Sequence, residues 1–341
     1  MTDTVLVTGA TGFVAKHCIA ELLRQGYRVR GTARNAERAV IALRGALGEA
    51  GVDGRAVEIV AADLERDDGW DAAVRGCGHV LHVASPFPIE QPRDRDTIVR
   101  PARDGALRVL AAATRAGIPR VVMTSSTVAV MYVAGARPGH VYTEADWTDA
   151  TRADITPYMV SKTGAERAAW DYVRATPDAP ELVTINPGFI QGPVLDADLS
   201  TSLEVQRLMG KGAYPGAPSI SFPIADVRDI AEIHVAAMTH PKAGGERFIA
   251  AEGTSSLMGI GRIIAAALPD LEKKVPRFEL PDLVVRGLAK FDKRLVAVLP
   301  ELGAERICSN AKARAVLGHA FRPADAAIRD GALSLRRLGV I

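Results

Sequence analysis

The stretch Val5-Leu6-Val7-Thr8-Gly9-Ala10-Thr11-Gly12-Phe13-Val14-Ala15 decides the fold, because it joins a short β-branched run to an amphipathic one through two glycines and a small residue. Gly9 permits a tight turn, Gly12 lets backbone amides approach a pyrophosphate, and Ala15 lets the following helix lie close on its strand. Thr11, Phe13 and Val14 complete the turn and the first helical turn, whose positive end faces phosphate. The same alternation continues outward. Strands are expected at 4–8, 28–32, 57–61, 79–84 and 120–124, and helices at 13–25, 37–50, 68–75 and 96–116, the last ended by Gly117 and Pro119. Within the strands the apolar residues form runs, as in strands buried on both faces. The class predicted is α/β, a doubly wound parallel sheet.

A further helix opens at Thr156-Pro157, since Thr is a good N-cap and Pro at the first helical position loses no hydrogen bond, and it extends to about residue 174. A sixth strand is expected at 182–186. Beyond Pro187 the pattern becomes irregular, with Gly and Pro clusters at 188–193 and 210–223. Helices follow at 226–238, 256–267, 281–298 and 323–338, and a short strand at 247–251. The expected organisation is a dinucleotide-binding core over 1–186, to which 226–251 returns, and a smaller, mostly helical substrate-binding cap from 187–225 and 252–341.

Of the 341 residues 48% are hydrophobic and 24% charged, which excludes a disordered tail protein. The 42 Lys and Arg are interspersed with 40 Asp and Glu, so no basic field is available for nucleic acid or an anionic membrane. Cys18, Cys77 and Cys308 have no CxxC spacing, which points away from disulfides and structural zinc. With no basic, apolar leader and no apolar run of ~18–20 residues, the expectation is a cytoplasmic protein, monomeric or homodimeric.

The end of the second strand selects among dinucleotides. An acid there would bind the adenine ribose hydroxyls and repel a 2′-phosphate, but Arg28-Val29-Arg30-Gly31-Thr32-Ala33-Arg34-Asn35 has none. NADPH/NADP+ is therefore expected, with Arg34 and, one turn on, Arg38 gripping the 2′-phosphate. After the third strand, Asp63 is placed to accept from the adenine amino group, or to cap a helix, and Leu64 to pack on the ring. Val83-Ala84-Ser85, at the end of the fourth strand, are expected along the cofactor.

Tyr158-Met159-Val160-Ser161-Lys162 puts a phenol and an ammonium four residues apart, on one face of the helix that begins at Pro157. A free tyrosine has a pKa of about 10, and a fixed neighbouring cation would lower it toward the range useful for proton donation. The fifth strand ends Thr124-Ser125-Ser126-Thr127, where Ser126 is the expected hydroxyl for a substrate oxygen and Ser125 its competitor. Asn186-Pro187-Gly188-Phe189-Ile190-Gln191-Gly192-Pro193 forms a rigid turn able to close over a nicotinamide. Phe87, Met131 and Tyr142 are positioned to line an apolar pocket or to pack the cap. His79 and His82 lack a third ligand at metal spacing and are read as structural, as is His234.

These residues together resemble the extended short-chain dehydrogenase/reductases, in the branch of dihydroflavonol reductases, cinnamoyl-CoA reductases and aldehyde reductases. The resemblance is carried by the 8–15 loop, Arg34, Asp63-Leu64, Thr124-Ser125-Ser126, Tyr158 to Lys162, Asn186-Pro187-Gly188 and the 226–234 segment. It implies a Rossmann fold and a site of Ser126, Tyr158 and Lys162. It also implies cofactor contacts at Gly9, Gly12, Phe13, Val14, Arg34, Asp63, Leu64, Val83, Ala84, Pro187, Gly188 and Ile190, with Thr124 at the strand end beside them. The position that faces the flavonoid ring in the plant enzymes is Val130 here, and Ile155-Thr156-Pro157-Tyr158-Met159 replaces the stretch typical of cinnamoyl-CoA reductases. Bacterial and fungal aldehyde or ketone reductases are thus the nearer likeness. The expected activity is NADPH-dependent reduction of a medium-sized, largely apolar aldehyde, ketone or ketoester, with no metal and with Val130 and Phe189 beside the substrate. Its rivals are a nucleotide-sugar epimerase or dehydratase, a 3β-hydroxysteroid-type dehydrogenase using NAD, and a non-catalytic NADP-sensing protein.

Overall fold

A computed structural model of the protein describes residues 3–85, 96–137, 139–291 and 299–341. Seven parallel strands form the central sheet: β1 (Thr4–Val7), β2 (Arg28–Ala33), β3 (Val57–Ala61), β4 (Cys77–His82), β5 (Arg120–Thr124), β7 (Glu181–Pro187) and β11 (Arg247–Ala250). Across the sheet they run β11-β7-β5-β4-β1-β2-β3, so the order reverses between β1 and β4. The flanking helices are α1 (Phe13–Arg24), α2 (Ala36–Glu49), α3 (Trp70–Val74), α4 (Asp96–Arg115), α5 (Pro157–Ala175) and α7 (Val227–Thr239).

The two-residue period of the strands divides their side chains between two apolar layers. Val5, Val7, Leu81, Val122 and Val183 pack with α1, α2 and α7. Leu6, Val80, Val121, Met123 and Leu182 face the other way, onto α3, α4 and α5. The middle of the central strands is therefore apolar on both faces, the pattern legible in Val5-Leu6-Val7.

The later part of the chain is less irregular than its glycines and prolines predict. β8 (Phe189–Gln191) runs parallel to β10 (Ser221–Asp226), which pairs antiparallel with β12 (Thr254–Ser256). Strands of three to six residues interrupted by Pro223 carry no readable alternation. α6 (Thr201–Gly210) and α8 (Leu257–Ala267) pack with the helix Ala324–Arg337 around Ile224, Ile260, Ile264 and Ile328, which gives this region its own apolar cluster. Minor strands β6 (Val141–Tyr142) and β9 (Ala217–Pro218) pair with later segments.

Three expected elements differ. The fourth strand is displaced toward the N-terminus, so Val83, Ala84 and Ser85 lie beyond its end. The helix expected at 68–75 is only Trp70–Val74, because Gly69, at φ 87°, holds the left-handed conformation before it. The helix expected at 281–298 stops at Leu288 as α9 (Asp282–Leu288), just after Gly287, a weak helix former. Residues 292–298, and Phe87 among the expected pocket residues, lie outside the described part. Among the described residues no helix is long and apolar enough to cross a membrane.

Leu6 is fully buried between the sheet and α3 and α4. Leu6→Ala is expected to destabilise the protein by about 2–5 kcal/mol, read as a lower urea midpoint at constant slope. An unchanged midpoint would contradict the two-layer packing.

Candidate active site

The strand order reverses between β1 and β4, and ligands of open α/β sheets bind outside the carboxyl ends of the strands at such a point. Gly9 takes φ +64° there, and a Cβ on it would fall 2.9 Å from the Cβ of Ala84, so both conformation and space require glycine. The Gly9 amide donates to Thr32 Oγ1 at 3.1 Å and the Ala10 amide to the Thr32 carbonyl at 2.8 Å, which ties the loop to β2. Helix α1 starts after Gly12 with no acid in its first turn and, among the described residues, no side chain capping it. Its first amides are thus left for an anion. This donor set fits the diphosphate of a dinucleotide.

At the end of β2, Asn35 caps α2 by accepting the Arg38 amide at 2.9 Å. Arg34 and Arg38 are exposed, and neither guanidinium has a partner among the described residues. That leaves two cations where the ribose end of a dinucleotide would lie. Asp63 accepts the Glu65 amide at 3.1 Å, which makes a turn and leaves its second oxygen open. Leu64 packs inward on Gly105 of α4, where a Cβ would come within 2.9 Å of it. Thr8 Oγ1 shares a hydrogen bond with His82 Nδ1 (2.9 Å) and accepts the Ala84 amide (3.0 Å), holding the β1 and β4 ends together. Burial drives the His82 pKa down to about 3, aided by the nearby Lys162 ammonium, so it is a neutral structural group. His234 likewise bonds Thr124 Oγ1 and the Ile230 carbonyl, which turns the Thr124 hydroxyl toward α7.

The two serines at the end of β5 separate cleanly. Ser125 Oγ donates to Glu166 Oε2 at 2.5 Å and is buried. Ser126 caps a single turn, accepting the Val128 amide at 3.3 Å, and its hydroxyl lies near enough to the Tyr158 phenol to lower that phenol's pKa. The structure therefore brings Ser126, not Ser125, to the tyrosine. Thr156 caps α5 by accepting from the Met159 amide at 3.3 Å, and Pro157 begins the helix. These two residues fix the helix start, so that Tyr158 sits in its first turn and Lys162 one turn deeper.

The electrostatics differ from the simple expectation. Burial pushes the Tyr158 phenol up to about 12, against the opposing Ser126 hydroxyl. The lowering expected from Lys162 is absent: burial raises the phenol, and Ser126 is what opposes it. Burial brings Lys162 down to about 8, while Glu166, the next turn along α5, works to raise it.

Beyond β7, Asn186 Nδ2 donates to the Ser126 carbonyl at 3.1 Å and to Glu166 at 2.8 Å. A Cβ on Gly188 would lie 2.3 Å from the Pro223 carbonyl oxygen, so the turn from Pro187 to Ile190 passes against β10 only as glycine. Phe189 stacks on Phe222, with ring centroids 4.6 Å apart and planes at 20°. Val130 corrects its expected place beside a substrate. It is fully buried in a cluster with Met131, Tyr142, Ile155 and Met159, because the chain turns inward after Ser126, and Met131 and Tyr142 pack rather than line an open wall. Asp229, Glu232 and His319 converge, but Arg322 donates to both carboxylates and occupies their charge.

Glu166 and Arg247, absent from the sequence reading, join beneath this site through a 2.7 Å ion pair in which both side chains are buried. The signal for Glu166 was its spacing: it lies eight residues after Tyr158 and four after Lys162, on the same helix face. Arg247 gave none, since it reads as the first residue of a strand.

A ketoreductase of Aspergillus niger is 33% identical over 97% of each chain. A cinnamoyl-CoA reductase of Medicago truncatula is 32% identical over 79% of this chain and 82% of its own. Among solved structures, the yeast methylglyoxal/isovaleraldehyde reductase complexed with NADPH superposes with a TM-score of 0.80 at 28% identity, over 99% of this chain and all of its own (100%). Residues 5–251 match the model of the NAD dependent epimerase/dehydratase family, and the chain belongs to that family, an extended short-chain dehydrogenase/reductase.

Proposed function

We propose that this protein is an NADPH-dependent carbonyl reductase, turning an aldehyde, ketone or ketoester into an alcohol. One observation carries the reading: the Tyr158 phenol lies in the helix turn before Lys162, with the Ser126 hydroxyl near enough to lower its pKa. The reductase names of the relatives and the NADPH of the yeast structure support it. So does the acid-free end of β2, with Arg34 and Arg38 free to meet a 2′-phosphate.

NADPH, when bound, supplies the hydride. The glycine loop and the α1 amides hold the diphosphate, and Pro187 to Ile190 cover the nicotinamide end. Ser126 orients and polarises the carbonyl oxygen, and Tyr158 gives it a proton. With a pKa of about 12 the phenol is fully protonated at neutral pH, the form that reduction requires. Lys162 would bond the ribose of the cofactor as an ammonium, one helical turn from the phenol. Positioned general acid catalysis of this kind contributes about 10²–10⁴-fold. The Phe189–Phe222 stack gives the substrate side an apolar wall, and segments 187–225 and 252–341 form that side. A medium-sized, largely apolar carbonyl compound suits it.

NADPH consumption with a panel of aldehydes, ketones and ketoesters tests the reading, and no turnover on any of them would reject it. Tyr158→Phe is expected to remove turnover while the NADPH dissociation constant stays within about threefold. Retained turnover would remove the proton-donor role. Arg34→Asp should weaken NADPH far more than NADH, by about tenfold or more in the ratio of kcat/KM values, and an unchanged ratio would place the 2′-phosphate elsewhere. Lys162 is cationic below about 8 and neutral above it, so kcat should decline as pH rises through that value. A profile flat to pH 10 would separate this lysine from the reaction.

A further inference from the structure

We propose that Glu166, charge-balanced by Arg247, is the positioning residue that holds Ser126 and Lys162 in register with Tyr158 and keeps the lysine cationic. The inference rests on the carbonyl-reductase reading. Glu166 is wholly buried and takes hydrogen bonds from five side chains: Ser125 (2.5 Å), Thr184 (3.0 Å), Asn186 (2.8 Å), Arg247 (2.7 Å) and Trp170 (3.4 Å). Three of these donors bear directly on the site. Ser125 adjoins Ser126, and its bond to Glu166 keeps it from the phenol. Asn186 reaches from Glu166 to the Ser126 carbonyl at 3.1 Å, and so fixes the Ser126 backbone from β7. Arg247, on β11, donates onward to the carbonyls of Glu144 and Asp146 at 2.6 and 2.8 Å and stacks on Trp147 at 3.7 Å. One carboxylate thus joins β5, α5, β7 and β11, the elements that carry or border the reacting groups.

A simple structural brace would not need a charge. Ser, Thr, Asn and Trp donors are satisfied by a neutral acceptor, and a buried ion pair is often no more stabilising than an uncharged replacement. The charge acts on Lys162, one helical turn away, where Glu166 opposes the loss of the ammonium caused by burial. Among the described residues, the other titratable groups around Lys162 cannot do this. His82 on β4 and His234 on α7 are neutral, Tyr158 is protonated, and Arg247 is cationic. On α4, Arg100, Arg103 and Arg108 pair outward with Asp96, Asp104 and Asp67.

The test compares wild type, Glu166→Gln and the double variant Glu166→Gln/Arg247→Gln by two pH profiles, the NADPH dissociation constant from fluorescence titration and kcat for a reduced carbonyl. In both variants the alkaline limb of each profile should move down by about one pH unit, and kcat at pH 8 should fall about fivefold, while the carbonyl KM changes by less than about threefold. The double variant removes both buried charges together, and carries the same reading if the single variant does not fold. A limb that stays at the wild-type position in a folded variant overturns the proposal, even if activity or melting temperature falls, because that is what a brace alone would give. The NADPH-binding limb needs no turnover. A wild type that binds NADPH but reduces no carbonyl therefore defeats the reductase reading alone, and a wild type that reduces carbonyls with unmoved variant limbs defeats this one alone.

Discussion

A lysine amine and a tyrosine phenol shielded from water both resist becoming charged, and the whole site is arranged around that cost. Burial, opposed by Glu166 at the lysine and by Ser126 at the phenol, takes Lys162 down to about 8 and Tyr158 up to about 12, so the protein keeps one group cationic only just, and the other neutral with ease. Proton donation to a carbonyl oxygen needs that combination. The lysine's margin is thin enough that one carboxylate a helical turn away matters, and that carboxylate can be buried only because a guanidinium lies against it. Removing one partner of such a pair typically costs about 3–5 kcal/mol, which makes the position intolerant of casual change.

The fold explains why Ser126, Tyr158 and Lys162 come together. Ser126 follows the end of β5, Asn186 sits near the end of the neighbouring β7, and α5 packs across both, so parallel strands ending together present their final residues on one edge. The start of α5, set by Thr156 and Pro157, determines which helical face carries Tyr158, Lys162 and Glu166. A shift of one residue in that cap would rotate all three by about 100° away from the serine.

Much of this was legible in the amino-acid sequence because it rests on local rules. Gly9 and Gly12 mark a strand-to-helix turn, the missing acid after β2 is a matter of composition at one spot, and Tyr158 and Lys162 are joined by helical spacing. What was not legible depends on contacts between distant parts of the chain. Whether Ser125 or Ser126 meets the phenol is settled by Glu166, forty residues away. Arg247 lies another eighty-one residues beyond Glu166. Val130 was misplaced for the same reason, since only the tertiary course of the chain after Ser126 buries it. β8 and β10 were hidden because short strands broken by glycine and proline have no periodicity to read. The rise of the Tyr158 pKa could not be read from spacing either, because burial is a property of the assembled fold.

The most direct measurement is a crystal structure of the protein with NADPH and an unreactive carbonyl analogue. The account predicts that the phenol oxygen of Tyr158 and Oγ of Ser126 both lie within hydrogen-bond distance of the analogue's oxygen, with Nζ of Lys162 on the nicotinamide ribose. An analogue oxygen held by other groups, out of reach of the Tyr158 phenol, would contradict it.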